Sequence, residues 1–309
     1  MTYDSLLDDE VRAFIARTDA FYPPEAVNFS VAEQRRFYDA LCREFDVGRP
    51  EGVAVRDDMA SGVPVRIYEA GIPEATVIYY HGGGFVVGGL DSHDSICAEI
   101  CAGTGHRVVS VDYRLAPEHV HPAHFDDALT AARWALGRYD GAVVLAGDSA
   151  GGNLAAAVAH RLRRDVIAGR ITGQLLIYPG LGGDMTKGSY VEHAHAPGLS
   201  TADVAYYHDI RSGGAEPGAD PSFAPLRDKD FSGLPPTIVI AAACDPLADD
   251  GRHYRDAIRR AGGRAEWINE EGLIHGYLRA RNMSARARAS FGRIVSGIGC
   301  LGQGLWPCD

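Results

Sequence analysis

One pentapeptide, Gly147-Asp148-Ser149-Ala150-Gly151, sets a serine between two glycines. In a chain with 37 glycines such a G-x-S-x-G pattern is weak by itself, and its surroundings give it meaning. The apolar run Val143-Val144-Leu145-Ala146 leads into it, and a stretch with Leu154, Ala155, Ala156, Ala157 and Val158 leads out. Strand, sharp turn and helix in that order hold a serine in a strained backbone conformation, its hydroxyl exposed at the end of a sheet. A turn that tight leaves no room for a Cβ on either side, which explains Gly147 and Gly151. A serine so presented can attack a carbonyl carbon. The competing reading is an ordinary glycine-rich helix start with Ser149 as its N-cap.

A hydroxyl is a poor nucleophile until a neutral imidazole takes its proton, and a carboxylate must hold that imidazole in the right tautomer. His275 lies in Gly272-Leu273-Ile274-His275-Gly276-Tyr277, just after a predicted last strand. Asp245 follows the apolar run Thr237–Ala243, with Asp249 and Asp250 as its substitutes. The order Ser149, Asp245, His275 is the one expected when the three groups sit at the strand ends of an α/β sheet. Acyl transfer also builds negative charge on the former carbonyl oxygen. His81-Gly82-Gly83-Gly84 follows the strand-like Val77-Ile78-Tyr79-Tyr80, and its backbone can turn N–H groups toward that oxygen. Gly83 and Gly84, with the N–H of Ala150, are the candidate oxyanion hole. A phosphate loop is the rival reading, but the spacing matches neither G-x-G-x-x-G nor a Walker A motif.

The elements that must carry these groups follow from periodicity. Val63, Val65 and Ile67 alternate with Pro64, Arg66 and Tyr68 and predict a strand with one face buried. Short apolar runs follow at 77–80, 108–111, 143–146, 175–178 and 237–243, with a last strand near Glu266–Ile268. Helical patterns lie between them, at Ala123–Gly137, from Ala150, and at Asp249–Ala261. Such alternation predicts a mostly parallel sheet flanked by helices on both faces. Residues 1–45 read as two helical pieces broken by Pro23-Pro24. Residues 181–222 interrupt the rhythm and hold one isolated helix near Ala202–Arg211. The expected organisation is therefore N-terminal cap helices (1–45), core (46–180), a cap insertion (181–222), core (223–296) and a tail (297–309).

With 30 Lys plus Arg against 41 Asp plus Glu, the net charge of −11 disfavours nucleic acid and anionic membranes as partners. No stretch is apolar enough to span a bilayer, and the first ten residues lack the basic start and apolar run of a secretory signal. Six cysteines without a C-x-x-C fit free thiols in a reducing cytoplasm, with a Cys300–Cys308 bridge as the alternative. Cys97 and Cys101, four apart on a helix, read as core. His119-Val120-His121-Pro122-Ala123-His124 approaches the metal motif H-x-H-x-D-H, but Ala123 stands where the carboxylate belongs. No metal is expected there. His193 and His195 read as surface residues rather than a ligand pair. Phe21, Tyr22, Phe37, Tyr38, Tyr206 and Tyr207 are candidates for an acyl pocket or for ordinary packing.

Several stretches together resemble the hormone-sensitive-lipase family of α/β-hydrolases, which includes bacterial acetyl esterases. They are His81-Gly82-Gly83-Gly84-Phe85, Asp112-Tyr113-Arg114-Leu115-Ala116-Pro117-Glu118, Gly147 to Leu154, Asp245-Pro246-Leu247 and His275-Gly276, with Gly89 to Asp94 nearer the acetyl-esterase branch. The resemblance spans about residues 30–295. It implies the α/β-hydrolase fold with a small helical cap, and a carboxylic-ester hydrolase that uses no cofactor. It also implies short-chain acyl esters as small-molecule substrates and, for many members, a homodimer. Glu118 has a counterpart in the family and reads as a structural hydrogen-bond partner. Two features depart from the pattern. His121 and His124 stand where apolar or small residues are usual, and the segment from Gly297 with Cys300, Trp306 and Cys308 does not look like the family's closing helix. An amidase or lactonase would use the same machinery, a receptor-like relative would have lost a triad member, and a metallohydrolase would need the His119–His124 cluster.

Overall fold

The computed structural model describes residues 3–307. Its apolar runs form one eight-stranded sheet: β1 (Ala54–Ala60), β2 (Val63–Glu69), β3 (Ala75–Tyr80), β4 (Arg107–Val111), β5 (Ala142–Asp148), β6 (Ile171–Ile177), β7 (Thr237–Cys244) and β8 (Ala265–Ile274). The order across the sheet is β1-β2-β4-β3-β5-β6-β7-β8. β2 runs antiparallel to β1 and β4, and every pairing from β4 to β8 is parallel. Parallel strands end at one edge, so the residues after β3, β5, β7 and β8 are gathered there.

Nine helices surround the sheet among the described residues: α1 (Asp9–Asp19), α2 (Val31–Glu44), α3 (Asp94–Thr104), α4 (Ala123–Arg138), α5 (Ala150–Leu162), α6 (Ser189–Glu192), α7 (Thr201–Ser212), α8 (Ala248–Arg260) and α9 (Ala285–Gly302). Strand side chains alternate between two cores. Ile78, Tyr80, Leu145 and Val239 meet Leu129 of α4, Leu154 of α5 and Ile258 of α8. Val77, Tyr79, Val144 and Ile238 meet Ile96 and Ile100 of α3 and Ile294 and Ile298 of α9. All six residues of β3 are buried, as a strand covered on both faces must be.

The ends of the helices follow from capping. Asp8 accepts the Val11 N–H at the start of α1. Ser30 and Glu33 form a reciprocal capping box at the start of α2. Between them, Pro23-Pro24 interrupts the helical run, as the spacing predicts.

Three features differ from the sequence reading. β1 was not expected; it is an edge strand with mostly exposed side chains, so it has no apolar run to betray it. β8 is ten residues long rather than three, because Asn269-Glu270-Glu271-Gly272 hides it while β7 pairs along most of its length. The closing helix α9 continues past Gly297, where the tail was expected, to Gly302. Two of its glycines serve close packing: a Cβ on Gly302 would sit 2.2 Å from the His106 ring, and one on Gly297 2.9 Å from Leu175. Trp306 beyond it packs on the same core, with the Arg264 guanidinium 5.3 Å from its ring. Cys42, Cys97, Cys101, Cys244 and Cys300 carry free thiols. Cys308, and with it the bridge considered above, lies outside the described residues. No helix among the described residues is long and apolar enough to cross a membrane.

Candidate active site

The turn between β5 and α5 puts Ser149 at φ 53° and ψ −116°, a conformation that costs roughly 1–3 kcal/mol and persists only where its surroundings impose it. Those surroundings are explicit. The Ser149 N–H donates to the Ile177 carbonyl at 2.9 Å, and its own carbonyl accepts from the Asn153 N–H at 3.1 Å. A Cβ on Gly151 would lie 1.8 Å from the Tyr80 carbonyl oxygen, and one on Gly147 would lie 2.5 Å from the Gly151 backbone. Only glycine lets α5 start this close to the end of β3.

β7 and β8 deliver the partners. Asp245 follows β7, fully buried, and its Oδ1 accepts the Leu247 N–H at 2.9 Å. His275 follows β8, and the left-handed Gly276 (φ 76°) turns the chain away after it. His275 Nδ1 donates to Asp245 Oδ2 at 2.6 Å. That bond puts the ring's proton on Nδ1 and leaves Nε2 to accept the Ser149 hydroxyl at 2.9 Å. Three residues spread over 126 positions therefore form one relay. The substitutes considered for Asp245 do other work. Asp249 accepts the Ser189 N–H at 3.0 Å and pairs with Arg252 at 2.8 Å. Asp250 accepts the N–H groups of Leu181 and Gly182 at 2.6 and 3.1 Å and the Tyr190 hydroxyl at 3.1 Å.

Gly83 (φ 126°) and Gly84 (φ 60°) border the same cavity as Ser149, Ala150 and His275. The loop that carries them is anchored from below. Asp148, buried under the serine, accepts the Gly82 N–H at 3.0 Å and the Tyr79 hydroxyl at 2.8 Å. The His93 ring lies 3.2 Å from one of its oxygens and 3.3 Å from the other. Burial alone would raise the Asp148 pKa, but His93, Tyr79 and the Arg279 charge outweigh it and hold the carboxyl below the usual range. His81 stacks on Tyr113 at 4.3 Å, and burial lowers its pKa to about 4, so its ring stays neutral.

The cavity measures about 220 Å³. Its walls include Phe14, Tyr22, Tyr38, Leu41 and Tyr207, so of the six aromatics singled out from sequence, Tyr22, Tyr38 and Tyr207 reach it. Tyr206 instead accepts a hydrogen bond from Gln34 at 2.8 Å. Tyr22 and Tyr207, both of which line the cavity, have their hydroxyls 3.3 Å apart. His193 is buried rather than at the surface, 3.1 Å from the Tyr3 hydroxyl, whereas His195 is exposed. Glu118 is bound by Arg35 of α2 at 2.6 Å, and the same guanidinium donates to the Val86 and Ala116 carbonyls. No group of three or more His, Cys, Asp or Glu able to hold a metal occurs among the described residues. His121 bonds Asp220 at 3.2 Å, and His124 accepts from Arg211 at 3.1 Å.

A family model described as an alpha/beta hydrolase fold matches residues 77–279. Carboxylesterase NlhH of Mycobacterium tuberculosis is 38% identical over 270 residues, 81% of this chain and 82% of that protein. Ethyl acetate hydrolase of Pseudomonas putida is 31% identical over 249 residues, 76% of this chain and 78% of its own length. A crystal structure of an esterase from the bacterial hormone-sensitive lipase family superposes with a TM-score of 0.85 at 26% identity, covering 94% of this chain and 98% of that one. The chain belongs to the hormone-sensitive-lipase family of α/β-hydrolases. It is a carboxylic-ester hydrolase.

Sequence reasoning did not find everything that supports this hydrolase's site. Asp148 was an x of G-x-S-x-G with no role assigned, yet it ties the Ser149 turn to the glycine loop. Its signal was a carboxylate inside an otherwise apolar strand-to-helix junction. Asp250 was weighed only as a spare for Asp245. It holds the Leu181–Gly183 turn, two glycines of which line the cavity.

Proposed function

We propose that this esterase works through an acyl-enzyme on Ser149. The Ser149 oxygen attacks the ester carbonyl carbon while His275 Nε2 takes its proton. Asp245 keeps the imidazole oriented and stabilises the imidazolium. The N–H groups of Gly83, Gly84 and Ala150 receive the charge on the carbonyl oxygen; one such donor is typically worth about 10²–10³ in rate. When the tetrahedral species collapses, the C–O bond breaks and His275 returns the proton to the departing alcohol. Water then attacks the acyl group by the same route and frees the acid. The observation that carries this reading is the Ser149–His275–Asp245 relay of 2.9 and 2.6 Å at the strained turn.

Short acyl chains are the proposed substrates. A cavity of about 220 Å³ lies below the roughly 300–1,000 Å³ usual for small-molecule sites. The name of the Pseudomonas relative, an ethyl acetate hydrolase, points the same way. Segments 1–45 and 181–222 serve as the cap that sets this limit. A series of p-nitrophenyl esters from acetyl to palmitoyl tests the length limit, and Ser149→Ala with a fluorophosphonate label tests the nucleophile. The variant should keep less than about a thousandth of the activity. Near-normal turnover by Ser149→Ala, or a probe that leaves the native protein unlabelled, refutes the assignment.

A further inference from the structure

The cavity beside Ser149 carries cationic groups that ester cleavage as described does not use. Arg211 of α7 and Arg227, at the end of the short turn Pro225–Arg227, both line it. Arg211 is 3% exposed and touches no carboxylate among the described residues. Its Nε donates to His124, its Nη1 to the Phe223 carbonyl at 3.0 Å, and its Nη2 to Asn153 Oδ1 at 3.1 Å and the Ser222 carbonyl at 3.4 Å. Since arginine only donates, His124 Nε2 must be an acceptor and that ring is neutral. Burial and the Arg211 charge lower its pKa accordingly. The Phe85 and Phe223 rings lie 3.7 and 4.2 Å from the guanidinium carbon. A guanidinium has five N–H groups, so these four bonds leave one Nη1 proton uncommitted.

Arg227 donates to the Gly218 carbonyl at 2.9 Å and is in no ion pair among the described residues. His208 lines the same end of the cavity against Phe223, ring centres 4.8 Å apart. Its pKa is lowered by burial first, then by Arg227 and Arg211, so both charges bear on one spot. The acid whose field reaches Arg211 is Asp220, and its oxygens are engaged by Ser222 and His121. One end of the cavity thus holds two cations without a contacting counter-ion. Removing an unpaired charge from water costs several kcal/mol, and the aromatic faces and carbonyls offset only part of it. An anion on the substrate would supply the rest.

We propose that this end of the cavity is a carboxylate subsite, and that the preferred substrates are monoesters of short dicarboxylic acids. The reach is set by α5: Arg211 bonds Asn153, one helical turn from Ser149, which is roughly 5.4 Å along the axis. That span suits four- and five-carbon diacids. The proposal rests on Ser149 as the nucleophile.

The test compares kcat/KM by pH-stat for monoethyl succinate and monoethyl glutarate with ethyl pentanoate and ethyl hexanoate. The expected result is a preference for the monoesters of about tenfold or more, in line with a charge-assisted pair in a desolvated site. The ratio should fall at least tenfold in Arg211→Gln and in Arg227→Gln. The second variant alters a half-exposed side chain and keeps the test available if the first fails to fold. Neutral esters cleaved as fast as the monoesters, or an unchanged ratio in Arg227→Gln, overturns the subsite while leaving the nucleophile intact. Loss of all ester cleavage with Ser149 unlabelled would instead condemn the acyl-enzyme reading.

Discussion

Asp250 offers the sharpest test of the physical reasoning. It is fully buried at the start of α8, and one of its oxygens receives every hydrogen bond it has: Leu181, Gly182 and Gly183 N–H and the Tyr190 hydroxyl. The other oxygen, Oδ1, is buried with no partner among the described residues. Burial raises the pKa to about 6 against an ordinary 3.8, although the hydrogen bonds pull it down. A carboxyl whose folded pKa lies above its unfolded value binds its proton more tightly when folded. It therefore adds stability at acid pH, and that stability is lost as pH rises from about 4 through about 6. The gap corresponds to about 3 kcal/mol. Asp250→Asn keeps an acceptor for the Leu181–Gly183 turn and cannot ionise. Urea unfolding of both proteins from pH 3.5 to 7 should show the variant gaining on the native protein by about 3 kcal/mol across that range. Taking the difference cancels every other titrating group. A flat difference, or one with the opposite slope, would show that the buried charge costs nothing and that this account of the turn is wrong.

Other outcomes follow from the same structure. Asp245→Asn should lower kcat by about 10³–10⁴ on a p-nitrophenyl ester, because the amide no longer selects the tautomer that leaves Nε2 free. Gly151→Ala should cost at least about 1–3 kcal/mol and most of the activity, since its methyl would enter the Tyr80 carbonyl; thermal unfolding and kcat check both. Ser30→Ala removes the α2 capping box and should lower stability by about 1 kcal/mol, read as a shift in the denaturation midpoint. An undisturbed midpoint would mean that α2 is held by packing alone.

What the sequence reveals here depends on how local the physics is. The strained turn at Ser149 is written in five consecutive residues, and the buried strands in unbroken apolar runs, so both are legible. Asp245 is legible because it follows such a run, and His275 because it comes after Asp245 in the chain and just past the predicted last strand. β8 is legible only at Glu266–Ile268; beyond them Glu270 is a strand residue for a reason visible only in space, the Arg293 of α9 that binds it at 2.5 Å. The end of α9 is obscured likewise, since Gly297 and Gly302 make sense only once Leu175 and His106 beneath them are known. The histidines at 121 and 124 stood out as departures from the family, but their meaning needs Arg211, nearly ninety residues away, and Asp220 beside it. Pattern reading detects an oddity of that kind without its partner.

The cavity wall draws on two distant stretches of chain that touch through side chains, as Tyr22 and Tyr207 do. Ser149, Asp245 and His275, by contrast, each follow the end of a strand. A ribosome therefore emits Tyr22 first, then the Ser149 turn, and only afterwards Tyr207. Substitutions at either tyrosine can reshape the cavity wall while leaving the hydrogen bonds among Ser149, His275 and Asp245 in place.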